Sequence, residues 1–180
     1  MIISYKEAIE KFGSEYKLRQ AVADGAIFKE EDGIYSTNRR EPELAIIMKK
    51  YPQAVLAGEY AFFSHNLTNV VPDKYDLATP SKAAKMKDPR VHQIYVNNDV
   101  FALGIEERVI DGAMVRIYDR ERMLIELLRN RNTMPYDLYK EIIMHYREII
   151  NDLEIWRIQE YAEIFPKGKM IRKALAEEVM

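Results

Sequence analysis

SEYKLRQAVADGAIFKEEDGIYST, residues 14–37, is the stretch whose reading decides the first part of the fold. Ser14 suits a helix N-cap, because its hydroxyl accepts from a free amide of the first turn, and Glu15 complements the positive end of the helix dipole. Leu18, Ala21 and Val22 fall at helical spacing and form an inward stripe, which turns Tyr16, Lys17, Arg19 and Gln20 toward solvent. Gly25 suits the left-handed position that closes such a helix. Beyond it, residues 26–29 and 34–37 read as two short strands around the turn Glu30-Glu31-Asp32-Gly33. Working outward, residues 5–12 read as a preceding helix that Gly13 breaks. The order is helix, turn, helix and hairpin, the outline of a winged helix-turn-helix. Residues 41–50 follow as a third helix with Leu44, Ile47 and Met48 on one side, ended by Tyr51-Pro52.

The pattern changes near residue 51, which divides the chain into 1–51 and 52–180. The buried-looking Ala54-Val55-Leu56-Ala57 comes first, then 59–64, then the polar, proline-interrupted 66–74. Residues 75–79, 91–96, 100–103 and 114–118 read as strands, with Asn97-Asn98-Asp99 and Asp111-Gly112 as turns. The last third is helical. Met123, Leu124, Leu127 and Leu128 fall one turn apart, as do Leu138, Tyr139, Ile142, Ile143 and Tyr146. Pro135 fits the first turn of the second of these helices, with Thr133 as its cap. Residues 153–164 and 170–179 continue the series, split by Phe165-Pro166-Lys167-Gly168. The expected fold class is α+β: an N-terminal winged helix-turn-helix followed by a small mixed sheet packed with C-terminal helices.

Composition narrows the function classes. The chain has 180 residues, 48% hydrophobic and 31% charged, which supplies a core and is far from the signature of disorder. Lys and Arg total 27 against 29 for Asp and Glu, a net charge of -2 that argues against a surface wholly devoted to polyanions. The absence of cysteine excludes disulfides, thiolate metal sites and cysteine nucleophiles. No window approaches the roughly 20 apolar residues of a spanning helix. Lys6 also interrupts the start, where a secretory signal needs an apolar run. A cytoplasmic protein with no membrane partner is expected.

Enzymatic signals are sparse. His65, His92 and His145 share no spacing that would place two of them together as metal ligands, so no metal is expected. None of the 7 glycines builds a phosphate-cradling loop, and no cofactor is expected. Ser64-His65 is a Ser–His neighbour pair, but adjacency in sequence rarely gives the geometry of nucleophile and base. Asp73 and Asp76 are candidate metal-binding carboxylates at a strand entrance, though carboxylates three apart do not share a side of an extended strand. No catalytic residue is assigned.

Two surfaces carry more information. On the second helix, Arg19 and Gln20 are suited to base edges and Tyr16 and Lys17 to phosphates; Lys29, Arg39 and Arg40 would extend that footprint along DNA. The first fifty residues balance nine basic residues (6, 11, 17, 19, 29, 39, 40, 49, 50) with nine acidic ones (7, 10, 15, 24, 30, 31, 32, 41, 43). Affinity per copy should therefore be modest and salt dependent, and specific binding would need paired sites or a homodimer on DNA. A second basic concentration comprises Arg116, Arg120, Arg122, Arg129 and Arg131, continuing with Lys140 and Arg147. It suits an acidic partner or nucleic acid, or it is neutralised in place by Asp119, Glu121, Glu126 and Glu141.

Three blocks in this order resemble the AbiEi family of antitoxins from bacterial abortive-infection toxin–antitoxin systems. The first is Ala23-Asp24-Gly25-Ala26-Ile27 with Gly33-Ile34-Tyr35. The second runs from Ala54-Val55-Leu56-Ala57-Gly58-Glu59-Tyr60-Ala61 through His65-Asn66-Leu67-Thr68-Asn69 to the strand at 75–80. The third is 117–128 with Arg129 to Arg131 and Pro135-Tyr136-Asp137-Leu138-Tyr139. The resemblance implies a non-enzymatic autorepressor that binds promoter DNA at inverted repeats through the winged helix. It also implies a second domain that counteracts a cognate nucleotidyltransferase toxin, with Arg120, Arg122, Arg129, Arg131, Lys140 and Arg147 as the antitoxicity surface. With four residues ahead of the first helix here, the additional leading helix of many winged helices is not expected, and the 41–50 helix is expected in its place. Two alternatives stay open: a regulator whose second domain senses a small ligand, and a nucleotidyltransferase-like enzyme built on Asp73 and Asp76.

Overall fold

A computed structural model describes residues 1–180. Nine α-helices and two β-sheets make an α+β protein, and none of the helices is long and apolar enough to cross a membrane. The chain forms two compact units, Met1–Ala54 with Val109–Val115, and Val55–Arg108 with Arg116–Met180.

The first unit opens on strand β1 (Ile2–Ser4), which the sequence pattern does not announce because three residues are too few to show alternation. Pairing creates it: β1 lies antiparallel to β3 (Ile34–Ser36), from Ile2 opposite Ser36 to Ser4 opposite Ile34. With β2 (Phe28–Glu31) the sheet order is β1-β3-β2. Ser4 ends the strand and caps α1 (Tyr5–Phe12) in a capping box, its N–H donating to Glu7 Oε2 at 2.6 Å while its hydroxyl accepts from the Glu7 amide. Gly13 takes φ 83, a left-handed turn in which its N–H still reaches the Ile9 carbonyl. Ser14 then caps α2 (Glu15–Ala23) by accepting from the Lys17 amide at 3.3 Å. The two helices and the sheet close over Ile3, Ala8, Leu18, Ile27 and Tyr35, with Ala21 and Val22 packed at the edge. Helix α3 (Glu43–Lys50) buries Leu44, Ile46, Ile47 and Met48 and packs against β1. Its Lys49 pairs with Glu7 at 2.8 Å, which with the Ser4 bonds holds the Glu7 carboxyl down to about 2.

The second sheet runs in the order β6-β5-β4-β8-β7, from β4 (Val55–Leu56), β5 (Tyr75–Pro80), β6 (Val91–Val96), β7 (Ile105–Ile110) and β8 (Ala113–Tyr118). It is mixed: β5 and β6 are parallel, as are β4 and β8, whereas β4 and β5 are antiparallel. Helices α4 (Gly58–Ser64), α6 (Arg120–Arg129), α7 (Tyr136–Ile149), α8 (Ile155–Ile164) and α9 (Gly168–Ala174) belong to the second unit. Two local expectations are corrected. Residues 100–103 are not a strand; Val100 and Phe101 belong to α5 (Asn98–Phe101), whose N-cap Asn97 accepts from the Asp99 amide, 102–103 continue as a turn, and the strand comes later as β7. A four-residue apolar run has no period of its own, so the cap and the burial of Val100 decide. Thr133 does not cap α7: its hydroxyl donates to the Asn130 carbonyl, and α7 starts after Pro135 without a side-chain cap.

Helix α6 is buried almost all round, and its core includes a charge. Arg122 is 0% exposed, stacked between Tyr118 and Phe165 at 4.4 and 4.2 Å from the ring centroids. Its guanidinium donates to the Val100 and Leu103 carbonyls at 2.6 and 3.2 Å and to Glu126 at 2.9 Å. Burial pulls its pKa below the ordinary arginine value, with Glu126 opposing. Gly104, at φ +75, passes so close that a Cβ there would sit 2.7 Å from Arg122 Cβ. At the start of α6, Asp119 accepts from the Arg122 amide, the Tyr161 hydroxyl and Arg157, while Glu121 accepts from the Glu154 amide, so two carboxylates anchor α8.

His65, at the end of α4, joins three elements of the same unit. A carbonyl only accepts, so Nε2 donates to Tyr118 O at 2.7 Å, and the bare Nδ1 accepts from Arg108 Nη1 at 2.7 Å. Burial, helped by Arg108 and Arg120, lowers its pKa from 6.5 to about 4 against the raising effect of the Tyr118 carbonyl. Between those two values the unfolded chain binds a proton that the folded chain refuses. Stability is therefore fully present above 6.5 and is lost as pH falls toward 4, by about 3 kcal/mol in all. Urea midpoints measured across this interval should fall with pH in the wild type, and a His65→Gln variant should lose that part of the slope.

Candidate functional site

The residues that the sequence offers as candidates for DNA contact lie where the helical spacing puts them. Tyr16, Lys17, Arg19 and Gln20 are all exposed on α2 beside the buried Leu18. The four are partly pre-ordered: Gln20 Nε2 donates to the Tyr16 hydroxyl at 3.1 Å, and Arg19 pairs with Glu15 one turn back. Lys29 is exposed on β2 and paired with Asp32 at 2.6 Å. Arg39 lies over the Phe28 ring, and Arg40 is exposed.

The second arginine group is not one free surface. Arg122 belongs to the core, where its bonds to Val100, Leu103 and Glu126 take it out of any contact with a partner. Arg129 shares Glu126 at 3.1 Å and covers the Phe165 ring. Arg131 and Arg147 converge on the C-terminal turn, Arg131 on the Glu178 carboxylate at 2.9 Å and Arg147 on its carbonyl at 2.6 Å. Tyr139 donates to that same carboxylate at 2.6 Å. Arg120, half-buried, and Lys140, exposed on α7, make no ion pair.

A cavity of about 710 Å³ in the second unit brings together residues that sequence spacing kept apart. Strands β5 and β6 run parallel with Asp76 in register with His92, so the two side chains stand side by side although 16 positions separate them. Nδ1 of His92 lies 2.6 Å from Asp76 Oδ1; a carboxylate only accepts, so Nδ1 carries the proton and Nε2 is left as an acceptor in the neutral ring. The second Asp76 oxygen accepts from the Tyr60 amide at the start of α4. Asp76 is 7% exposed, whereas the His92 side chain is 63% exposed. Both line the cavity, as does Asp73 from the preceding loop. The only trace of this pair in the sequence is that each residue is second in its strand, a signal readable once the strands are known to be parallel and in register.

Other sequence candidates receive structural roles. Ser64 donates to the Tyr60 carbonyl, so it does not serve the neighbouring His65, both of whose ring nitrogens are engaged. No group of three or more His, Asp or Glu side chains is placed to hold a metal ion.

No protein-family model and no curated protein matches this chain. Among solved structures, the fold is similar to the crystal structure of the RV2827C protein from Mycobacterium tuberculosis, with a TM-score of 0.60 and 12% sequence identity. The match covers 98% of this chain and 71% of that one. At that identity the likeness is one of fold: nearly the whole chain shares an α+β architecture with a solved protein.

Gly58 holds the Asp76–His92 pair open. It takes φ +55, and a Cβ there would lie 2.8 Å from Asp76 Oδ2 and 2.9 Å from its Cβ. Gly58→Ala should therefore displace the carboxylate and destabilise the fold by about 1–3 kcal/mol. The same change should move the His92 Nδ1 proton resonance in NMR spectra, and an unmoved resonance would contradict the assigned contact.

Proposed function

We propose that this protein is a DNA-binding autorepressor and antitoxin of the AbiEi kind, with the first unit acting as a winged helix. The observation that carries the reading is the exposed row Tyr16, Lys17, Arg19 and Gln20 on α2, backed by a buried Leu18 and preceded by a glycine turn. A helix that follows such a turn, beside a three-stranded sheet with order β1-β3-β2, is suited to the major groove, with Lys29 and the adjoining hairpin near the backbone. Guanidinium and amide side chains read base edges, while lysine and tyrosine position the protein on phosphates. Binding at inverted repeats would then require two copies, because the first fifty residues are electrically neutral.

The antitoxin half of the reading draws on the resemblance of the second and third sequence blocks, and its surface is now smaller. Arg120 and Lys140 are the members of the arginine-rich group that retain uncommitted charge. A second reading, a regulator whose second unit holds a small ligand, is favoured by the cavity beside Asp76 and His92.

Gel shifts with the promoter region upstream of this gene test the first half. Lys17→Ala with Arg19→Ala should weaken binding at least about tenfold and flatten the salt dependence by about two ion equivalents. Unchanged affinity in the double variant would remove α2 from the interface. For the second half, co-expression of this protein with the product of the adjacent reading frame, induced as the toxin, should restore growth. Arg120→Ala with Lys140→Ala should reduce that rescue without lowering the melting temperature, while Arg147→Ala should lower the melting temperature.

A further inference from the structure

The cavity of the second unit is within the size range of small-molecule sites. Part of its wall is apolar, with Phe62, Val100 and Met123 buried behind it. The charges around that wall are unequal. Five lining residues are acidic, Glu59, Asp73, Asp76, Asp99 and Glu126, against Lys74 and Arg129 as lining cations. Two of the carboxylates are already engaged inside the protein, Glu126 by ion pairs with Arg122 and Arg129 and Asp76 by a hydrogen bond from His92. Glu59, Asp73 and Asp99 form no ion pair, so the cavity keeps a negative excess that its own side chains do not neutralise.

We propose that this cavity binds a small organic cation, a protonated amine carried on an apolar or aromatic body. The body would pack on the Phe62 side, and the ammonium would meet the free carboxylates. The buried Asp76 fixes the tautomer of His92, so the neutral ring offers Nε2 to an ammonium N–H, which bare electrostatic attraction would not specify. An anion would face the carboxylates with Lys74 as the one lining cation free of a carboxylate partner. A bare metal ion finds no convergent set of three ligands. An amine with a hydrophobic body matches both the charge and the wall. This proposal concerns the second unit alone and stands whether or not the first unit binds DNA.

The full-length protein is titrated with tryptamine and phenethylamine, and with indole-3-acetate as the anionic counterpart of the same ring, by calorimetry and by amide NMR. The amines should bind with millimolar or tighter affinity and shift amides at His92 and Val100, and indole-3-acetate should not. Asp73→Asn with Asp99→Asn, both exposed and outside the packed core, should weaken amine binding about tenfold while the melting temperature stays unchanged. The proposal is overturned if neither amine binds at millimolar concentration, if the anion binds equally well, or if the double variant binds the amines with wild-type affinity.

Discussion

The guanidinium of Arg122 is the constraint on which the second unit depends. A charge with no solvent contact survives only when its desolvation is offset by acceptors and polarizable surfaces, and here two backbone carbonyls, one carboxylate and two aromatic rings surround it. The partners come from four stretches of chain. Val100 and Leu103 offer carbonyls because their segment turns helically and is not tied into a sheet ladder; Phe165 arrives from the end of α8; Glu126 stands one turn along α6. The same side chain therefore requires the α5 turn, the close passage of Gly104 and the docking of α8 at once. Asp119 and Glu121 reinforce the arrangement by binding Tyr161, Arg157 and the Glu154 amide, and burial pushes the Asp119 carboxyl up against the lowering effect of its hydrogen bonds.

A different economy governs the first unit. Its core is small, and its helices are positioned by short-range devices: the Ser4–Glu7 capping box, the left-handed Gly13 and the Ser14 cap. Those devices spend few side chains on packing. The outward side of α2 is consequently left with four polar residues whose contacts are mutual or local, Gln20 with Tyr16 and Arg19 with Glu15. Exposed pairs of this kind contribute little to stability and are readily exchanged for contacts to another molecule. Helix α3 adds the long-range tie, through its apolar side on β1 and through Lys49 on Glu7.

The cavity follows from the parallel pairing of β5 and β6. Parallel register sets Asp76 against His92, and the positive φ of Gly58 leaves the space that the carboxylate occupies at the start of α4. The result is one oriented Asp–His pair, its carboxylate buried and its imidazole exposed, in a cavity with apolar side chains in its wall and uncommitted acidic groups around it. Arginines nearby do not cancel that excess, because Arg122 and Arg129 are both directed to Glu126.

By itself the sequence determined whatever depends on neighbours within a turn or two of the chain. The stripes at Leu18, Ala21 and Val22, at Met123, Leu124, Leu127 and Leu128, and at Tyr139, Ile142, Ile143 and Tyr146 specify helices and their inward sides, and Ser14 and Gly25 mark where one of them begins and ends. The exposure of Tyr16, Lys17, Arg19 and Gln20 follows from the same periodicity. Tertiary structure alone decided that Ile2–Ser4 is a strand, that 100–103 leaves the sheet, that Arg122 is core, and that Asp76 meets His92. The physical reason is common to all four. A three-residue strand, a free carbonyl, a buried charge and a cross-strand hydrogen bond each take their stability from a partner brought close by folding, and periodicity along the chain carries no record of which partner that will be.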